Sequence, residues 1–278
     1  MTDEEQMNAY IEQALKLFEE RSEKPCVYFS LTDSEPDIFS CKVGGTPYLP
    51  HGKYPPRDSE SGAEMRLLCQ MDCTAFARMP DYPHEGMLQI WFAPLQDSYD
   101  VTYHPHIDRT VTEAEVRAKI TPMTDEEKDE FFVVNGGYGM NLHPGRDTMS
   151  TADDRCGSLL YQCLMEVSGG TFVDRFSDDL PALFEDMISQ GDGHKFGGYH
   201  YDPQTWFTGD YNQNWKSDLG SDSEELLLFQ LEYEHGYGKD WREGAKVILG
   251  DCGVIQFFIT RKDLKALNFA VSYNFSCS

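Results

Sequence analysis

No apolar run in this chain approaches the roughly 20 residues that a membrane-spanning helix requires, so no helical span is expected. The start, Met1-Thr2-Asp3-Glu4-Glu5, lacks the basic and apolar regions of a signal peptide, and the expected location is the cytoplasm. Basic residues are scarce: 23 Lys and Arg face 48 Asp and Glu, a formal charge of −25. That field repels phosphate backbones and anionic lipid, which argues against nucleic-acid or membrane partners and would attract a basic protein. Cys-x-x-Cys pairs are absent among the eight cysteines, and no pair of histidines completes a zinc pattern with Cys69 and Cys73. The thiols read as reduced structural residues, and no cofactor is expected.

What the chain does have is repetition. Lys42-Val-Gly44-Gly45 with Tyr48 and Pro50 returns as Lys195-Phe-Gly197-Gly198 with Tyr201 and Pro203. Leu67-Leu-Cys-Gln70-Met71 returns as Leu227-Leu-Phe-Gln230-Leu231, and Gly86-Met-Leu-Gln89 as Gly253-Val-Ile-Gln256. Three blocks in one order predict an internally duplicated α+β fold, with two similar β-rich halves packed about a pseudo-twofold axis. The first repeat covers 42–92, the second 195–259, and 93–194 is a connecting α+β segment within a single domain over 1–278. The second copy carries seven extra residues in each interval, and polar 208–224 reads as an exposed loop. The apolar Gln-containing runs read as buried strands, whose amides must bond to backbone or to each other across the axis.

Local signals add detail. Thr2 and Glu5 form a capping box, and Met7, Ile11, Ala14, Leu15 and Phe18 recur at helical spacing, predicting an N-terminal amphipathic helix over 3–21. Residues 25–31, 99–103 and 131–134 favour strands. Capping boxes at Thr112/Glu115 and Thr124/Glu127 introduce short helices, and 181–189 reads as a further helix.

Ser40-Cys-Lys42-Val-Gly44-Gly45-Thr-Pro47-Tyr-Leu49-Pro50, together with Gly250-Asp251-Cys-Gly253 and Asp263-Leu264, resembles the YwqG-like family of bacterial domains of unknown function. The resemblance spans most of the chain and implies a duplicated, strand-rich α+β fold. It brings no reaction and no catalytic residues, and the toxin-associated context of some relatives implies an immunity-like role.

Two sets of residues stand out. Lys42, Gly44, Gly45, Lys195, Gly197 and Gly198, with Asp251, are a candidate ligand site, because paired glycines can turn backbone N–H groups toward an anion beside an ammonium. Tyr199, Tyr201, Trp206, Tyr211 and Trp215 are a candidate interaction surface, since aromatics anchor interfaces. Cys252, in Gly250-Asp251-Cys252-Gly253, resembles the nucleophile turn of chymotrypsin-like proteases, but no histidine stands in a matching context. His104 and His106 read as loop residues, and no metal is assigned. The expectation is therefore a non-enzymatic interaction module toward a basic protein. A small-molecule or anion-binding module comes second and a cysteine-dependent hydrolase third.

Overall fold

The structure is a computed structural model that describes residues 3–34, 36–93, 98–125, 133–134, 136–171, 184, 187–204, 219–234, 244–250 and 252–277. It is a mixed α/β fold with one large antiparallel sheet and few helices. Helix α1 (Asp3–Ser22) leads into β1 (Lys24–Leu31), β2 (Lys42–Gly44), β3 (Arg66–Asp72), β4 (Met87–Phe92) and β5 (Tyr99–His104). After α2 (Glu113–Arg117) come β6 (Gly137–Asp147), α3 (Cys156–Ser168), β7 (Lys195–Gly197), β8 (Glu225–Glu232), β9 (Val254–Thr260), α4 (Arg261–Lys265) and β10 (Ser272–Ser276). The strand order is β10-β9-β8-β7-β1-β6-β2-β3-β4-β5.

The apolar runs behave as the strand period requires, with neighbouring residues going to opposite faces. Leu68 and Ile90 turn to the main core with Val27, Phe29, Phe196, Phe229 and Phe257. Leu67 and Trp91, opposite each other on β3 and β4, turn to the other face and pack with Tyr48, Val111 and Val116 under α2. The sheet curls so that its two ends meet: the Tyr99 ring on β5 lies 5.4 Å from Phe257 and 5.3 Å from Tyr273. The Tyr99 hydroxyl also donates to the Val271 carbonyl at 3.2 Å.

Helix α1 forms over nearly the expected range, with Ile11, Ala14 and Phe18 buried against Leu159, Leu160, Cys163 and Leu164 of α3. Thr2, expected to cap it, lies outside the described residues. Thr112 does cap α2, its side chain accepting from the Glu115 N–H. Residues 131–132, most of 181–189, all of 208–218 and Glu127 lie outside the described residues. Val134 forms an isolated bridge with Val247.

The connecting segment holds the main surprise, the eleven-residue β6. Gly137, Gly139, Pro144 and Gly145 give it poor intrinsic strand character. Pairing on both sides holds it: it runs against β1 from Lys24↔Asp147 to Leu31↔Met140 and against β2 from Lys42↔Gly139 to Gly44↔Gly137. The glycines permit the closest approach. A Cβ added at Gly45, whose φ is +73°, would lie 2.9 Å from the Gly137 Cα.

Candidate functional site

The three recurring polar side chains form a ladder at each of the two places where their sequence pattern occurs. Lys42 is opposite Gln70, and Gln70 opposite Gln89; Lys195 is opposite Gln230, and Gln230 opposite Gln256. All six are fully buried. Gln70 Oε1 accepts from the Tyr48 N–H at 2.7 Å and from Gln89 Nε2 at 2.8 Å, while Gln70 Nε2 donates to the carbonyls of Ile38 (2.9 Å) and Ser40 (3.0 Å). Gln230 Oε1 accepts from the Tyr201 N–H and from Gln256 Nε2, both at 2.9 Å; its Nε2 donates to the carbonyls of Gly191 and Gly193. Gln89 and Gln256 donate in turn to the carbonyls of Tyr48 and Tyr201.

The amides thus find backbone and each other within a ladder, and Gln70 and Gln230 do not bond across the sheet. Replacing Gln70 with Leu strands the Tyr48 N–H, two carbonyls and part of Gln89 in the core. A loss on the order of 3 kcal/mol follows, to be read from urea denaturation; a loss below about 1 kcal/mol would contradict this account.

His104 fills the end of the first ladder, its Nε2 lying 2.9 Å from Gln89 Oε1. Because Gln89 Nε2 already donates twice, that oxygen must accept, which places the His104 proton on Nε2. Burial, with Lys53 nearby, moves the imidazole below its ordinary pKa, consistent with the neutral form. Asn274 Nδ2 donates to Gln256 Oε1 at 3.0 Å at the end of the second ladder. His106 is exposed. Among the described residues no group of three or more His, Cys, Asp or Glu is placed to hold a metal ion.

The two candidate lysines do not converge. β1 and β6 separate β2 from β7, a spacing of about 14 Å across the sheet. Lys42 Nζ donates to the carbonyls of Asp37 and Thr46, the second at 2.7 Å, and burial pushes its pKa down to about 8. Lys195 Nζ instead pairs with Asp147 at 2.8 Å, and the same Asp147 oxygen accepts from the Tyr199 N–H at 3.0 Å. Both ammonium groups are therefore engaged inside the protein. Of the residues expected with them, Asp251 lies outside the described residues.

Tyr199, expected on an aromatic surface, is a core residue whose hydroxyl donates to the Ser22 carbonyl at 2.6 Å. Tyr201 is half-buried at the second ladder, and Trp206, Tyr211 and Trp215 lie outside the described residues. Cys252 is exposed.

A cavity does adjoin the first Lys-x-Gly-Gly turn. About 640 Å³ in volume, it is bounded by Gly45, Thr46 and Pro47 of the turn, by Gly136, Gly137 and Tyr138 at the start of β6, and by the 120–123 segment. Trp91 and Leu67 also line it. Arg66 and Glu64 fix one wall: Arg66 Nη1 lies 3.1 Å from Glu64 Oε1 and donates to the Thr121 carbonyl at 2.5 Å. Glu64 accepts in return from the Thr121 N–H (2.9 Å) and hydroxyl (3.0 Å), which clamps that segment against β3. The Trp91 indole N–H, in a side chain 1% exposed, has no acceptor among the described residues.

A smaller cavity, about 260 Å³, adjoins the second turn at Gly197 and Gly198. Beside it Glu224 gathers three cations: Oε1 accepts from Lys24 Nζ at 2.6 Å and Arg155 Nη1 at 3.3 Å, and Oε2 from Arg261 Nη2 at 2.6 Å. Arg155 and Arg261 are also held by Asp153 and Asp81. Sequence reasoning missed this cluster because Glu224 closes a stretch whose composition reads as solvent-exposed. The clamp of Glu64 and Arg66 on Thr121 likewise has no local signature, since Thr121 lies far from both in the chain.

Among the described residues no helix is long and apolar enough to cross a membrane. No curated protein matches the chain. A family model described as "Domain of unknown function (DUF1963)" matches residues 41–277, nearly the whole molecule, in agreement with the YwqG-like resemblance, and the chain belongs to that family.

Proposed function

We propose that this protein is a small-molecule binding module whose site is the cavity beside the first Lys-x-Gly-Gly turn. The carrying observation is the 640 Å³ space itself, bounded by the first turn, the start of β6 and the 120–123 segment, with Leu67 and Trp91 in its lining. A volume of this size falls in the range that small organic ligands occupy. In this reading the two glycines Gly45 and Gly137 bring β2 and β6 together at the cavity wall, and the lysines support the turns from behind without touching the ligand.

The same reading takes the two halves as copies of one unit, related by a pseudo-twofold axis between β1 and β6. Support comes from the matched ladders, from a register shift at Leu67/Cys69 answered by one at Leu227/Phe229, and from a cavity beside each Lys-x-Gly-Gly turn. Among the described residues the cavity beside the first copy is the larger of these two, about 640 Å³ against 260 Å³, and the proposed ligand site is that one.

The test is a fragment screen monitored through the indole ¹H–¹⁵N resonance of Trp91, identified by its loss in Trp91→Phe. Fragments that move this resonance should raise the melting temperature, since a ligand at one hundred times its Kd adds about 2.7 kcal/mol. A chemically diverse library in which nothing perturbs Trp91 would overturn the proposal.

A further inference from the structure

We infer that Glu64 is the positioning residue of the proposed site: from behind the lining, it holds the 120–123 segment at the distance from β3 that keeps the space open. This rests on the cavity being the binding site. Glu64 is buried, and its bonds join the walls. The Thr121 N–H and hydroxyl donate to its two carboxylate oxygens at 2.9 and 3.0 Å, which fixes the 120–123 segment. Arg66 at the start of β3 reaches Glu64 Oε1 at 3.1 Å and donates to the Thr121 carbonyl. Glu64 also forms a bridge with Arg57, and the next N–H, that of Met65, donates to the Pro56 carbonyl at 2.9 Å. Thr121, Arg66, Met65 and Pro55 all line the cavity, so the walls meet at one carboxylate.

A matching residue beside the second turn has the opposite outcome. Glu64 stands three residues before Leu67 of the first Leu-Leu-x-Gln block, and Glu224 three before Leu227 of the second. Both are buried. Glu224 is met by the long side chains of Lys24, Arg155 and Arg261, and Lys24 and Arg261 themselves line the second cavity. Glu64 is met across its cavity by the backbone and short side chain of Thr121; Arg57, 3.6 Å away, is mostly exposed and outside the lining. Two long cations take up space that a threonine leaves empty. The cavity beside Glu64 is accordingly the larger, about 640 Å³ against 260 Å³.

The experiment uses the full chain and needs no ligand. Hydrogen exchange of the Thr121 amide is followed in ¹H–¹⁵N spectra, together with the methyl resonances of Ile120 and Met123 at the first cavity and of Leu226 and Leu227 at the second. In the wild type the Thr121 amide should be protected although the residue is exposed, because its acceptor is a buried carboxylate. Glu64→Ala should speed that exchange about a hundredfold and shift the Ile120 and Met123 methyls, leaving Leu226 and Leu227 in place. Glu64→Gln, which keeps one oxygen able to accept, should speed it only about tenfold.

A residue that merely stabilises the fold would accelerate core strand amides such as Leu228 and Phe257 alongside Thr121, and that result would overturn the inference. An unprotected Thr121 amide in the wild type would overturn it too. Thr121→Val removes one of the bonds at an exposed position and should by itself speed the exchange severalfold, so the outcome does not hang on the Glu64 variants folding; no change in it would count against the inference. A fragment screen that never reaches the cavity, with Thr121 still released by Glu64→Ala, would overturn the binding reading and leave Glu64 as the holder of the wall.

Discussion

Raising the pH from 8 to 10 is expected to weaken the fold by about 5 kcal/mol, most or all of the stability of an ordinary domain. Five fully buried thiols carry the effect: Cys26, Cys69, Cys73, Cys156 and Cys163. Burial raises all five above the ordinary value of 9.0, Cys163 to about 11 and Cys26 and Cys73 to about 12. In the unfolded chain they release their protons near pH 9, whereas in the folded chain they keep them. The folded state then binds more protons, and stability falls as pH rises, by about 1.4 kcal/mol per thiol between pH 8 and 10 and roughly 7 kcal/mol in all.

Lys42 acts in the opposite direction. Its folded pKa, lowered by burial to about 8 from an ordinary 10.5, means that the unfolded chain holds more protons between those values, so stability rises there by about 2 kcal/mol. The difference leaves the net loss. Urea midpoints measured under reducing conditions at pH 8, 9 and 10 should fall steeply, with buried thiols becoming reactive as the midpoint falls. A flat profile would show that the thiols do not titrate with unfolding.

Glu224→Gln should cost about 3 kcal/mol at pH 7, through the three cations it leaves around a neutral amide. Burial by itself would raise the Glu224 pKa; attraction to Lys24, with hydrogen bonds from Lys24, Arg261 and the Gly220 N–H, outweighs this and holds the carboxyl at about 2, against an ordinary 4.5. The cost stays near the lower end of the range for broken buried pairs because Arg155 keeps Asp153 and Arg261 keeps Asp81. Lys24 is left above the Tyr199 ring, 4.2 Å from its centre.

The sign on the acid side is fixed by the depressed value. The carboxylate's contribution is fully present above about pH 4.5 and is lost as pH falls through about 2. Wild-type stability should therefore decline from pH 5 toward pH 2 more steeply than that of Glu224→Gln, and the two should converge at the acid end. Parallel declines, or a cost at pH 7 below 1 kcal/mol, would mean that the cluster adds little.

The parts of this fold that were legible in the sequence are those written locally. Ile11, Ala14 and Phe18 declared their helix by spacing, Thr112 its cap, and Gln70, Gln89, Gln230 and Gln256 their burial through the apolar runs around them. The strand β6 was hidden because its glycines, Pro144 and polar residues speak against a strand, and only β1 and β2 on its flanks make it one. At the candidate site the sequence shows a pair of glycine turns beside lysines; what those lysines touch was not legible, since sequence does not reveal that Asp37, Thr46 and Asp147 hold them. Trp91 passed as one more aromatic in a buried run, and that its indole N–H has no acceptor among the described residues is a property of three-dimensional surroundings alone.

The placement of β1 and β6 sets a timetable for synthesis. β1 emerges first, yet its partners are β6 and β7, so Val27, Phe29 and Leu31 leave the ribosome without a neighbouring strand until residues 137–147 follow. At ribosomal speeds that delay is on the order of ten seconds, long compared with the microseconds in which a hairpin closes. β2, β3, β4 and β5 can pair among themselves meanwhile, while an apolar strand and its preceding helix wait tethered beside them. The nascent chain is thus an expected client for a chaperone that shields β1, and its yield should respond to translation rate more than to the stability of the finished protein.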